Sequence, residues 1–153
     1  MTPHAPPRRA RGSAVVEMAI IAPLAFLLVI GVIEFSLVFF TTLTMQYAVR
    51  EGARYATTGR NDGTNTQLVS VMNVIRSNSA GYLDSVCPVL SVNGTARTSS
   101  NSGTLLGGPG DVIVLRLDCT WKLATPIVAA VFPNGEYKFA VAATMQNEWY
   151  PSP

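Results

Sequence analysis

VVEMAIIAPLAFLLVIGVIEFSLVFF, residues 15–40, is a run of 26 residues in which only Glu17 and Glu34 carry charge. As an α-helix rising about 1.5 Å per residue, it is long enough to cross a hydrocarbon core of about 30 Å. A core helix in a small domain is seldom this long or this uniformly apolar. The run is therefore expected to be a membrane-crossing helix, and it sets the architecture of everything around it.

Arg8, Arg9 and Arg11 precede the run, and the first basic residue after it is Arg50. The positive-inside bias predicts a cytoplasmic N-terminus and places the rest of the chain across the membrane. A secretory signal peptide would have an apolar core of about 7 to 15 residues followed by a small-residue cleavage site. Here the run is longer and residues 41–56 continue with helix-compatible residues, so an anchor is expected rather than a removed signal.

The chain has 153 residues, 48% hydrophobic and 13% charged, and much of the apolar excess lies in that run. Roughly 110 residues follow it, enough for one small core. The net charge of +2 reflects the leader arginines, because beyond Gly12 there are 8 basic against 9 acidic residues. That near-neutral remainder lacks the basic patch that nucleic-acid binding requires, so that class is set aside. Cys87 and Cys119 both follow the span. Outside the cytoplasm they are expected to pair in a disulfide; in a reducing compartment they would be two buried thiols.

A carboxylate near a bilayer centre costs about 2.5 to 3.5 kcal/mol on insertion scales, so Glu17 and Glu34 need partners or a wet location. Glu34, six residues before Phe40, has two readings: it reaches the headgroups, or it packs against a partner. Glu17 stands in a more specific setting, Arg11-Gly12-Ser13-Ala14-Val15-Val16-Glu17. A basic residue, a glycine, four small or apolar residues and an acid resemble the type IV prepilin processing motif. That resemblance implies that a membrane peptidase cuts between Gly12 and Ser13 and that Ser13 becomes the new N-terminus. Its α-ammonium would then lie close to the Glu17 carboxylate, and in a low dielectric such a pair attracts strongly while either charge alone is costly. The pairing, within one helix or between stacked subunits, would set axial register.

Residues 8–60 resemble the TadE-like family of tight-adherence pilus assembly proteins. The pieces that carry the likeness are Gly12 to Glu17, Gly31-Val32-Ile33-Glu34-Phe35, and Arg50-Glu51-Gly52-Ala53-Arg54-Tyr55-Ala56, in order. The small major pilins of this class tend to have tyrosine after the motif glutamate and to be little longer than the anchor. Met18 here, and a further domain of about 90 residues, favour a minor pilin or pseudopilin. The resemblance implies a set of partners: the prepilin peptidase, a sibling pseudopilin, the major pilin and the inner-membrane pilus assembly platform. It also implies location in the bacterial inner membrane or incorporation in the pilus. Asn147-Glu148-Trp149-Tyr150-Pro151 is similar to the family's usual ending and suggests no mechanism.

Beyond the span, residues 41–58 contain no proline, so the helix is expected to run from Ser13 to about residue 58, membrane-spanning to about residue 40, with about half of its roughly 65 Å projecting. Gly31, Glu34, Arg50, Glu51, Gly52 and Arg54 are candidate helix-packing residues. Gly52 and Ala53 would let a neighbouring helix approach closely. Arg50, Glu51 and Arg54 read equally as a solvated face, with Glu51 and Arg54 spaced to pair. Gly59-Arg60-Asn61-Asp62-Gly63 should end the helix.

A second helix is predicted over 65–80, with Leu68, Val71, Met72 and Ile75 as its apolar stripe and Gly81 as its cap. Strands are predicted at 88–92, 111–123 and 137–145, the last two from strict alternation. Thr125-Pro126 opens a short helix to Phe132, and Pro133-Asn134-Gly135 makes a turn. Residues 93–110, rich in Ser, Thr, Asn and Gly, read as an exposed loop. The expected fold is α+β: a cleaved leader over 1–12, a long N-terminal helix over 13–58, and an extracytoplasmic head over 59–153 with a three-stranded antiparallel sheet.

A histidine-based catalytic set is absent from the sequence; Asp111, Asp118, Glu136 and Glu148 leave paired carboxylates open in principle, although solvated acids are the ordinary finding in such positions. The one histidine, His4, lies in the leader, and two cysteines without a CxxC spacing make no zinc site, so neither a metal nor another cofactor is expected. Gly107-Gly108-Pro109-Gly110 lacks the Lys and Ser/Thr of a phosphate-binding loop. The expected role is pilus biogenesis and not enzymatic. The rival reading is an uncleaved signal-anchored envelope protein whose head binds a periplasmic partner.

Overall fold

In the computed structural model, which describes residues 10–60, 66–97 and 106–149, helix α1 runs from Ala10 to Thr57. It contains Pro23 without ending there. A proline inside a helix removes one i to i−4 hydrogen bond, and neighbouring turns and helices can make good that loss in a membrane. The hydroxyls of Ser36, Thr42 and Thr44 donate to the carbonyls of Val32, Val38 and Phe40, so polar side chains in an apolar stretch are satisfied within the helix. Gly59, at φ +65°, turns the chain out of the helix, as the sequence predicts. Residues 61–63 of that predicted turn lie outside the described residues.

α1 is two structures in one helix. Every large apolar side chain from Val15 to Ile33 is exposed. From Glu34 onward, a stripe that includes Val38, Met45, Val49, Gly52 and Ala56 is buried. The half of α1 expected to run on beyond the membrane is not a free rod; it is the central element of the head's core.

The head closes around that stripe from two sides. Helix α2, Gln67–Asn78, lays Leu68, Val71, Met72 and Ile75 against α1, and all four predicted stripe residues are buried. Helix α3, Tyr82–Val86, follows directly and was not foreseen; Gly81, expected to close α2, has φ +85° and opens α3. On the other side lies an antiparallel sheet of β1 (Val89–Val92), β2 (Thr95–Ala96), β3 (Val112–Lys122) and β4 (Glu136–Gln146), in the order β2-β1-β3-β4. The alternation of β3 is as predicted: Ile113, Leu115, Leu117 and Cys119 face the core. Val141 and Ala143 of β4 lie on the same side.

The sheet has four strands, not three. Asn93 and Gly94, at φ +50° and +80°, form the two-residue turn between β1 and β2. Asn-Gly is the preferred pair for such a turn because both central residues must take positive φ. Asn93 also receives the Val114 amide on its side-chain oxygen at 2.8 Å. The loop expected from residue 93 therefore begins as a hairpin, and residues 98–105 lie outside the described residues.

β3 and β4 pair over their whole length, from Val112 opposite Gln146 to Lys122 opposite Glu136. Their hairpin runs alongside α1. At its open end the Glu148 amide donates to the Thr57 carbonyl, at 2.9 Å. Midway, Gln46 donates to the Ala142 carbonyl, also at 2.9 Å. The 23 residue steps from Glu34 to Thr57 span roughly 35 Å of helix. Eleven strand residues span about 37 Å, so the far end of the hairpin arrives at the level of Glu34. There the connection carries helix α4, Pro126–Ala129, and a 3₁₀ turn over Pro133–Gly135.

Candidate functional site

The N-terminal segment of α1 places the processing-motif residues on one side of a helical turn. Ser13 and Glu17 are four apart, and the Ser13 hydroxyl donates to Glu17 Oε1 at 3.2 Å, with both residues exposed. A Cβ added at Gly12 would meet nothing within 4 Å. Packing within the chain therefore gives no reason for a glycine at this position, nor does it at Gly31, which is equally open.

Gly52 is the opposite case. An added Cβ there would overlap the side chain of Ile75, which is fully buried. Close approach across this glycine was expected for a neighbouring helix. The helix it admits is α2 of the same chain. Arg50 and Arg54 are exposed and Glu51 is half-buried. Among the described residues the ion pairs are Arg76–Asp84 and Arg116–Asp118, so the Glu51–Arg54 spacing does not produce one. Glu51, Arg54, Tyr55, Thr58 and Val74 instead border a shallow hollow of about 230 Å³.

Glu34 has found a partner. It is only 5% exposed, and its carboxylate accepts the backbone N–H groups of Ala124 and Thr125, the latter at 3.1 Å to Oε2. Thr125 is the residue that precedes α4, where Pro126 supplies no N–H of its own. A buried carboxylate is tolerated when charge-assisted hydrogen bonds replace its water. Of the two sequence readings of Glu34, the geometry supports the packed one: this residue fastens the β3–β4 connection to the anchor helix.

Cys87 and Cys119 form a disulfide, as expected. Cys87 ends α3 just before β1, and Cys119 lies on the core face of β3, so the bond joins the helical and sheet layers. Closing 32 residues in this way stabilises the head by about 3 to 4 kcal/mol in the chain-entropy account.

Several anchoring residues were not singled out from the sequence. Asn147 is buried and donates to the carbonyls of Leu106 and Gly108, which fixes the chain where it enters β3. Nothing in its local sequence marks that role. The connection over 123–135 does carry a signal in its residues, a complete lack of charge. Among the described residues, no group of His, Cys, Asp and Glu comes together that could hold a metal ion.

Among the described residues one helix, α1, is long and apolar enough to cross a membrane, and its most apolar stretch is bare, which suggests a membrane-anchored single-pass protein. No curated protein and no solved structure matches the chain. The family model described as TadE-like protein matches residues 12–54, from the motif glycine through the third of the resemblance segments. Over that N-terminal helix, and over that part alone, the chain is similar to the TadE-like family.

Proposed function

We propose that the chain is a minor pilin or pseudopilin that takes part in biogenesis of a tight-adherence type IV pilus. Prepilin peptidase removes residues 1–12, and the helix from Ser13 joins or primes the fibre from the inner membrane. The N-terminus is cytoplasmic and the head extracytoplasmic. Its working partners are the peptidase, a sibling pseudopilin, the major pilin and the assembly platform. The role is assembly, not catalysis.

The observation that carries this reading is where the family match begins: at Gly12, with Ser13 and Glu17 one helical turn apart and in contact. Gly12 is free of any packing duty, so the residue is available to be chosen by a peptidase. Cleavage would add an α-ammonium at Ser13 beside the exposed Glu17 carboxylate. In lipid, that charge pair would relieve the insertion cost of the acid and fix the height of one subunit against the next.

Intact mass and N-terminal sequence of the protein extracted from native membranes test the reading. A chain beginning at Ser13 is the expected result. A chain beginning at Met1 or Thr2 would favour an uncleaved signal-anchored envelope protein whose head binds a periplasmic partner. Glu17→Ala is expected to leave the anchor in the membrane and to abolish or sharply reduce pilus assembly; normal assembly by this variant would sink the charge-pair mechanism.

A further inference from the structure

Residues 123–135, LATPIVAAVFPNG, connect β3 to β4 and contain no charged side chain. Connections that face water are ordinarily polar. In this one Ile127 is 61% exposed and Val131 79% exposed. Its position explains the discrepancy. The connection is the end of a hairpin that runs along α1, and it is fastened to Glu34, the residue at which the bare part of the helix gives way to the packed part.

From Ser13 to Ile33 the helix spans about 31 Å, close to the thickness of a hydrocarbon core. The connection therefore sits where the bilayer surface meets the head. Aromatic side chains gather at this level. Phe132 lies 6.4 Å from Phe35 of the helix and edge-on to Tyr137 at 6.0 Å, while Tyr82 lies between Phe40 and Trp121. Tyr and Trp concentrate at the membrane–water boundary, where a ring can be apolar at one end and wet at the other.

We propose that the tip of the β3–β4 hairpin is a second membrane contact. Ile127 and Val131 enter the interfacial layer of the bilayer beside the anchor helix, and the head is held against the lipid at two points. The occupant is lipid because the tip meets the helix at Phe35, an exposed apolar side chain that packs beside Phe132, and the connection carries no charge that a soluble partner would meet. The inference rests on the anchor reading and is independent of cleavage, of orientation and of any role in the pilus. Two contacts would restrict tilting of the molecule in the bilayer.

The test uses the full chain with its disulfide, reconstituted in vesicles of phosphatidylcholine and phosphatidylglycerol. Single cysteines at Ile127→Cys and Val131→Cys are labelled with nitrobenzoxadiazole. Leu28→Cys reports on the anchor, and Thr144→Cys, on the exposed face of β4, reports on water. The tip labels are expected to emit at shorter wavelength than the Thr144 label and to lose most of their emission to lipids brominated near the headgroup end of the acyl chains. Tip labels that match the Thr144 label while the Leu28 label is quenched would overturn the proposal and leave the anchor standing. Tip labels that are blue-shifted yet unaffected by brominated lipid would also overturn it, in favour of a protein partner. An unquenched Leu28 label would overturn the anchor reading and this proposal with it.

Discussion

The two halves of α1 are one continuous helix, and the residues just after Glu34, Phe35 to Phe40, are nearly as apolar as the stretch before it. Before Glu34, large apolar side chains such as Leu24, Phe26 and Leu28 are exposed on all sides. After it, one face is sealed by α2 and the sheet, while Phe39, Leu43 and Tyr47 remain exposed on the other. The difference shows that an apolar helix has no environment of its own. What surrounds it is decided by later segments of the chain, α2 and the distant strands β3 and β4.

The contrast is open to attack by paired substitutions, read by thermal unfolding of the full chain in detergent micelles. Met45 is fully buried, so Met45→Ala is expected to destabilise the head by about 2 to 5 kcal/mol. Leu28→Ala, on the bare half, should leave head stability unchanged. Equal losses from the two substitutions would mean that the halves are not distinct.

The junction comes next. Glu34→Ala leaves the amides of Ala124 and Thr125 without their acceptor, and a loss of about 1 to 3 kcal/mol is expected. Glu34→Gln keeps one acceptor oxygen and should recover part of it. The same pair of variants, compared by hydrogen exchange at residues 124–129, would show whether the connection loosens; unchanged protection in Glu34→Ala would disprove the fastening role.

Gly52→Ala sets two effects against each other. Alanine is the better helix former by about 1 kcal/mol, but overpacking against Ile75 costs about 1 to 3 kcal/mol. A modest net loss is expected. Gly12→Ala, with open space around it, should if anything stabilise the helix, and it should block the proposed cleavage. Melting temperatures of the two variants moving in the same direction would contradict the division of the helix.

The smallest effect belongs to an exposed pair remote from α1. Arg76 donates to Asp84 at 3.0 Å and holds the Asp84 carboxyl below the usual aspartate range. A carboxyl with a depressed folded-state pKa contributes stability above its unfolded value, and that contribution is lost as pH falls through the lower folded value. Asp84→Asn should therefore lower the melting temperature slightly at neutral pH and have no effect once Asp84 is protonated. A difference that persists in strong acid would point to something other than the ion pair.

Much of this was legible in the residues. The span, the α2 stripe, the alternation of β3 and β4 and the cysteine pair all rest on local periodicity and on where charges are missing, and those are properties of sequence. Asn93-Gly94 was equally local and carried a hairpin signal, but the Ser/Thr/Asn/Gly composition of the segment around it hid the turn. The partner of Glu34 and the neighbour of Gly52 were not legible, because each lies on a segment that no local pattern connects to the helix.

The sequence by itself determined that a long apolar helix precedes a small α+β head and that acids stand at Glu17 and Glu34, since hydropathy and charge are carried by each residue alone. Only the tertiary structure decided where the bare helix stops. Lipid and protein core select the same apolar side chains, and what separates them is the Ala124–Thr125 backbone reaching Glu34 across 90 residues of chain.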